Sequence, residues 1–181
     1  MVGEVETLQI VFYTLGSVTI FTYTILVCKY RSLKMDKVWA IWNDPCYFKF
    51  WVISAILAAV SFVGFSIDLF NNDPEQTDYI LLLCAYTFFL FFACLYVPAL
   101  LLDQKKAVIT ILALESASTI ALSVWSIKTY YAWEGPREIL LNVATLWLSF
   151  HCTVLDFILW GYSWYNWENY SIVTGTSASN I

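Results

Sequence analysis

The sequence is poor in charged residues. Only 13% of its 181 residues are Asp, Glu, Lys or Arg, whereas 60% are hydrophobic and 19% are aromatic. A soluble domain carries about 25% charged residues and fewer apolar ones. The scarcity of charge therefore argues against an ordinary soluble domain and predicts an integral membrane protein.

Motifs for metal binding and for enzyme chemistry are also missing. There is one histidine, His151, and the cysteines are odd in number with no CxxC pair, which argues against a zinc site or a disulfide framework. The sequence has no glycine-rich phosphate loop, no HExxH and no nucleophile elbow. We therefore predict no metal and no required cofactor, and an enzyme is the less favoured class. An intramembrane isomerase or hydrolase with His151 and Glu115 as acid and base is the remaining enzyme hypothesis.

The sequence does contain long apolar runs. Five of them reach the length of about 20 residues that a membrane-spanning helix needs, at residues 8–28, 48–70, 79–102, 107–127 and 139–162. All are predicted helices, because lipid offers no partner to unpaired backbone groups. The predicted fold is an all-α bundle of five transmembrane helices, with residues 1–170 as one domain and a disordered cytosolic tail at 171–181.

The basic residues are concentrated in two loops, which predicts the orientation. Seven of the nine lie in or beside the first and third loops: Lys29, Arg31, Lys34, Lys37, Lys49, Lys105 and Lys106. The positive-inside rule places these loops and the C-terminus in the cytosol and the N-terminus on the exoplasmic side. The basic first loop is expected to contact lipid headgroups rather than nucleic acid. Several tryptophans near span ends are predicted to form an interfacial belt: Trp39, Trp42, Trp133, Trp164 and Trp167.

Three ionisable residues fall inside predicted spans and away from the span ends: Glu115, His151 and Asp156. Such residues are expected to face the bundle interior. Lys49 and Asp68 lie near the two ends of the second span. In an α-helix, Asp156 shares a polar stripe with Thr145, Ser149, Cys152, Trp160 and Ser163, and Glu115 shares one with Ser118, Thr119 and Ser126. His151 lies about 140° from Asp156 around an α-helix, so the two are not expected to form one site. The stripes indicate either a ligand cavity or ion path, or interhelical hydrogen bonds between protonated carboxyl groups.

Small residues on the second span permit close helix contact. Ser54–Ala58 and Ala55–Ala59 are pairs of small residues four apart. They are compatible with packing inside the bundle or with a homodimer through helix 2 or helix 3. In the third span, Pro98 is predicted to kink the helix near its cytosolic end.

The fifth span carries a motif of a known family. It reads "WLSF" at 147–150 and "TVLDFILW" at 153–160, which resembles W-L-x-F followed by T-x-L-N-Y-x-V-W in the translocator protein family (TspO/MBR). One residue is inserted between the two halves, and Gly161 stands where the family has a basic residue. The stretches "CLYVP" at 94–98, "ASTIALSVW" ending at Trp125 and "VWAIWNDPCYF" with Trp42 resemble the family more loosely.

The resemblance implies a five-helix bundle whose pocket opens toward the first loop. It also implies binding of a flat apolar ligand, a tetrapyrrole or a sterol, often by a dimer. The residues expected to line that pocket are Trp42, Tyr96, Pro98, Trp125, Trp147, Ser149, Cys152, Asp156 and Trp160. Two other hypotheses stay open: a structural subunit of a larger membrane assembly, and a small channel or transporter that uses Glu115 and Asp156.

Overall fold

The computed structural model describes residues 2–25, 28, 40, 45–71, 79–130 and 135–166. They form helices α1 (Val2–Ile25), α2 (Pro45–Asn71), α3 (Tyr79–Leu101) and α4 (Lys105–Thr129). The fifth span, Pro136–Tyr165, has three parts: α5 (Pro136–Phe150), the π-helix π1 (His151–Gly161) and the short α6 (Tyr162–Tyr165). The predicted tail at 171–181, the first loop apart from Ala40, and Trp42 lie outside the described residues.

Five helices are long and apolar enough to cross a membrane. Their outer surfaces carry large apolar side chains such as Ile20, Phe50, Ile56, Phe88 and Leu140. In water such a surface would be strongly unfavourable, whereas in a bilayer it faces lipid. The prediction of an all-α, multi-pass membrane protein is confirmed.

The helices form a closed ring. α3 packs against α4 and α1, α4 packs against α5 and π1, α2 packs against α5, and α1 contacts α2. The order around the ring is therefore α1, α2, α5, α4, α3. α3 and α4 form an antiparallel hairpin, and its turn places Asp103 at a φ of 51°, a left-handed conformation that aspartate tolerates better than most residues.

Two layers of side chains fill the ring. The layer at the end that holds the α3–α4 turn, which we call the turn end, includes Val97, Leu100, Val108, Leu112, Leu155, Trp160 and Trp164. The layer at the opposite end includes Leu8, Phe62, Phe65, Leu69, Tyr86, Leu122, Trp125 and Leu141. Helices of alternating direction bring the C-terminal halves of α1, α3 and the fifth span to the turn end.

Three serines of α4 donate hydrogen bonds to the fifth span. Ser116 Oγ donates to the Cys152 carbonyl at 3.1 Å, and Ser123 Oγ donates to the Thr145 carbonyl at 2.8 Å. Ser126 Oγ donates to Asn142 Oδ1 at 2.8 Å. Only Ser126 of these serines belongs to the stripe predicted on α4, whose Ser118 and Thr119 instead donate to carbonyl groups of α4 itself. The bonds of Ser116, Ser123 and Ser126 are interhelical. They hold α4 close to the span that carries Asp156.

An ion pair joins α2 to α5 at the opposite end. Arg137 donates from Nε and Nη2 to the two carboxylate oxygens of Asp68, at 2.6 and 2.7 Å. Its guanidinium also lies 5.7 Å from the centre of the Tyr130 ring. Burial, together with the Asp68 carboxylate, raises the pKa of Tyr130, so the phenol stays neutral beside the cation. Glu138 accepts the Gly135 N–H and caps the first turn of α5.

Small residues on α2 divide between two surfaces. Ser54 and Ala58 are buried, whereas Ala55 is half-buried and Ala59 is exposed. The first pair packs inside the bundle. A homodimer through α2 or α3 stays a prediction.

Candidate functional site

Asp156 lies at the centre of a small hydrogen-bonded group between α2 and π1. Trp51 Nε1 donates to Asp156 Oδ1 at 2.8 Å, and His151 Nε2 lies 3.4 Å from Asp156 Oδ2. On its other side, His151 Nδ1 lies 2.9 Å from Ser54 Oγ. The imidazole is thus fixed between a serine of α2 and a carboxyl group five residues further along its own span.

The prediction that His151 and Asp156 do not form one site is wrong. It assumed an α-helix, in which positions i and i+5 point in different directions. The span is instead a π-helix from His151 to Gly161, and hydrogen bonding from i to i+5 places positions five apart on one face. The wider turn accommodates one more residue than an α-helix, and here it brings the imidazole to the carboxyl group.

The row Ser54–His151–Asp156 has the residue types of a nucleophilic triad. A nucleophile must reach its substrate, and Ser54 has 0% of its surface exposed. In this structure the row therefore orients the imidazole and ties α2 to π1. It presents no accessible nucleophile.

Aromatic rings surround this group at the turn end. Tyr23 stacks on Tyr96 with ring centres 5.8 Å apart, and Tyr96 meets the Trp160 ring edge-on at 5.5 Å. Trp160 stacks on Trp164 at 5.4 Å with an interplanar angle of 11°. We call Tyr23, Trp51, Tyr96, Trp160 and Trp164 the turn-end aromatic cluster. It draws on α1, α2, α3 and the fifth span, so it depends on the assembled ring.

Glu115 faces the same region from α4. Its side chain is buried, and its carboxyl group interacts electrostatically with Asp156 and with the side chains of Tyr23, Tyr96 and Cys152. Among the described residues, nothing donates a hydrogen bond to this carboxyl group. Two carboxyl groups from neighbouring helices therefore interact electrostatically on the side of the bundle where Ser116 of α4 bonds to the Cys152 carbonyl.

The residues that the resemblance singles out do not all lie together. Tyr96, Asp156 and Trp160 meet at the turn end, next to Cys152. Trp125 is buried at the opposite end, edge-on to Phe65 at 6.0 Å.

Three other residues that the resemblance assigns to the pocket lie at the edge of the group around Asp156 or outside it. Trp147 is half-buried and donates from Nε1 to the Ser54 carbonyl at 3.4 Å. Ser149 is half-buried on α5, one turn before Cys152. Pro98 is exposed on the outside of α3, which continues through it to Leu101.

Several residues of the site escaped the sequence analysis. Trp164 was assigned to an interfacial belt, but only 1% of it is exposed, and it stacks inside the bundle. Tyr23 and Trp51 carry no distinct sequence signal, because a single aromatic residue near a span end is also typical of an interfacial anchor. Trp51 and Ser54 are three apart, and that spacing puts them on one helical face.

The π-helix gives a prediction about chain length. Deleting Thr153 should let the span return to an α-helix, because His151 and Asp156 would then be four apart and would still share a face. Thr153 is also the least costly residue to remove, since its buried hydroxyl has no hydrogen-bond partner in the described structure. We expect a folded variant whose thermal midpoint in detergent lies within a few degrees of that of the parent protein.

A deletion in the α-helical part of the same span is the matched control. Removing the exposed Val143 from α5 should turn Asn142 away from Ser126 by about 100° and lower the thermal midpoint strongly. Equal damage by the two deletions would contradict the role given to the π-helix.

Comparison of the chain with protein-family models, with curated proteins and with solved structures gave no match.

Proposed function

We propose that this protein is a TspO/MBR-like integral membrane protein that binds a flat apolar ligand, a tetrapyrrole or a sterol, at the turn end. The observation that carries the proposal is the turn-end aromatic cluster beside Asp156. Flat apolar molecules bind well between aromatic rings, which offer a large contact area and few rotatable bonds. A few polar groups beside the rings then fix the ligand's orientation.

The motif residues support the same assignment. Leu155 and Trp160 of the "TVLDFILW" stretch pack with Val97 and the partly buried Tyr96 in one layer. The motif has one residue more than the family pattern before this stretch. A π-helix that begins at His151 accommodates one extra residue without turning the rest of the span away from the bundle.

The proposed orientation follows from charge. With the basic first and third loops in the cytosol, the turn end lies on the cytosolic side and the N-terminus on the exoplasmic side. Ala40 of the first loop is 1% exposed and packs in the turn-end layer. A ligand would therefore enter next to the first loop, from the cytosol or from the inner leaflet.

The test is a binding titration of the purified protein in detergent. Protoporphyrin IX should quench tryptophan fluorescence saturably, and cholesterol should compete with it. Trp160→Leu and Tyr96→Leu should each weaken binding about tenfold, because each removes one aromatic wall worth on the order of 1.4 kcal/mol.

The matched controls lie at the opposite end of the bundle. Phe62→Leu and Tyr86→Leu remove buried aromatic rings from α2 and α3, and they should leave the affinity within about twofold of the parent value. Absence of saturable binding to the folded parent protein would refute the proposal. Equal loss in all four variants would refute the location of the site.

A channel or transporter is the second candidate, and the proximity of Glu115 and Asp156 favours it. Carboxyl groups that meet inside a membrane bundle are typical of proton and cation pathways. This function predicts a proton or cation flux in liposomes that Glu115→Gln abolishes. Liposomes that hold the folded protein and show no flux would eliminate it.

A further inference from the structure

Among the residues that the structure describes, the interior of the turn end contains more acidic than basic groups. Glu115 and Asp156 both face it, and the one basic side chain described beside them is His151. No Lys or Arg is among the described residues that are buried. Lys49 is exposed, and Lys105 lies over the Tyr165 ring at 6.0 Å, beyond the last turn of π1. The described part of the site therefore has two carboxyl groups and one imidazole.

The two carboxyl groups differ in their partners. Asp156 already accepts the Trp51 indole N–H and contacts His151. Glu115 is 6% exposed, interacts electrostatically with Asp156, Tyr23 and Tyr96, and receives no hydrogen bond from the described residues. A buried carboxyl group without a donor is costly, and a bound molecule that supplies a donor relieves the cost. Glu115 therefore marks the position where the polar group of a ligand would sit.

The rings around Glu115 favour a positively charged donor. Tyr23, Tyr96 and Trp160 form consecutive ring contacts, and the faces of such rings carry negative potential that attracts cations. Aromatic walls joined to a carboxylate are a recurrent way of binding an ammonium group. An anionic group at this position would instead meet two carboxyl groups.

We infer that the ligand of this site carries a cation: an ammonium group on a flat apolar body, with the ammonium beside Glu115 and the body among the turn-end aromatic rings. This inference rests on the proposed function, because it names the class of ligand that the same site takes. An acidic group on such a ligand would lie away from Glu115 and Asp156.

Three ligands with one ring system and different charges test the inference. Cholesterol is neutral, 3β-aminocholest-5-ene is a cation and cholesteryl hemisuccinate is an anion at neutral pH. Their affinities are measured by tryptophan fluorescence with the full-length protein in one detergent. The amine should bind about tenfold more tightly than cholesterol, and the hemisuccinate should bind more weakly than cholesterol.

Acid-to-amide variants then locate the charge recognition. Glu115→Gln should reduce the advantage of the amine over cholesterol, measured in the same variant, to about threefold or less. Asp156→Asn gives the same readout should Glu115→Gln fail to fold. Asp103→Asn is the matched control, since Asp103 is an exposed acid in the turn at the same end of the bundle. It should keep the full advantage of the amine.

The outcomes separate the inference from the proposed function. Equal affinities for all three sterols would overturn the inference and leave the proposed function standing. An advantage of the amine that survives in Glu115→Gln and Asp156→Asn would also overturn it. Absence of binding by all three sterols and by protoporphyrin IX, in a folded protein, would overturn the proposed function itself.

Discussion

A Gly161→Arg variant should lose most of its folded population, with the free energy of unfolding lowered by about 3–5 kcal/mol. Gly161 is buried at the end of π1, where a Cβ atom would lie 3.4 Å from the Asp156 carbonyl oxygen. The same Cβ would lie 3.4 Å from methyl groups of Ile109 and Leu112 on α4. A long side chain would therefore push α4 away from π1, and its charge would be brought next to apolar groups.

Unfolding in mixed micelles of dodecyl maltoside and SDS, followed by tryptophan fluorescence, measures the effect. Gly161→Ala is the matched control, because distances of 3.4 Å allow a methyl group and alanine favours a helical backbone over glycine. We expect its stability to lie within about 1 kcal/mol of the parent protein. Equal stability of the arginine and alanine variants would contradict the close contact of α4 with π1.

Asn142→Leu should lower the free energy of unfolding by about 2 kcal/mol. Asn142 has 0% of its surface exposed, accepts a hydrogen bond from Ser126 Oγ and donates one to the Tyr130 carbonyl at 3.2 Å. Leucine has a similar size but satisfies neither group. Each interhelical hydrogen bond in a membrane contributes only modestly to stability. The expected effect is larger because both hydrogen bonds of Asn142 are lost and the Ser126 hydroxyl stays buried without a partner.

A double-variant cycle distinguishes the hydrogen bond from packing. With Ser126→Ala already present, Asn142→Leu should cost about 1 kcal/mol less than it does alone. Ser118→Ala is the control, because Ser118 Oγ bonds only within α4, to the Leu114 carbonyl at 2.8 Å. Strict additivity of Ser126→Ala and Asn142→Leu would show that the two residues act independently.

The five spans could be predicted because the composition and length of an apolar run are enough to identify a membrane-spanning helix. The predicted second span began at residue 48 and the third ended at 102, whereas α2 begins at Pro45 and α3 ends at Leu101. Polar residues such as Lys105 extend the helices past their apolar parts, since backbone hydrogen bonding continues into the interface. Apolar pattern alone therefore sets most helix ends to within about three residues, whereas α1 begins at Val2, six residues before the predicted first span.

The candidate site was predictable only in part. A helical wheel with 100° per residue separated His151 from Asp156, and nothing in the composition signals a π-helix. The extra residue between "WLSF" and "TVLDFILW" was the available signal. The family resemblance places Trp125 and Tyr96 in one pocket. Because α3 and α4 run in opposite directions, their C-terminal ends lie at opposite ends of the bundle.

The sequence does not predict which side chains contact one another across the ring. The contact of Trp51 with Asp156 joins positions 105 residues apart, and the approach of Glu115 to Tyr23 joins α4 to α1 across the interior. These contacts depend on the order of helices around the ring. Loop lengths and charges restrict that order without fixing it, so the composition of the aromatic cluster became clear only from the structure.

The location of the ligand site can be tested by photo-crosslinking with a diazirine-bearing sterol, followed by mass spectrometry of the labelled peptides. We expect labels at the C-terminal part of α1 near Tyr23, on α3 near Tyr96 and in π1 between Asp156 and Trp160. An excess of unlabelled cholesterol should remove these labels. Competable labelling confined to the opposite end, around Phe62, Tyr86 and Trp125, would contradict a ligand site at the turn end.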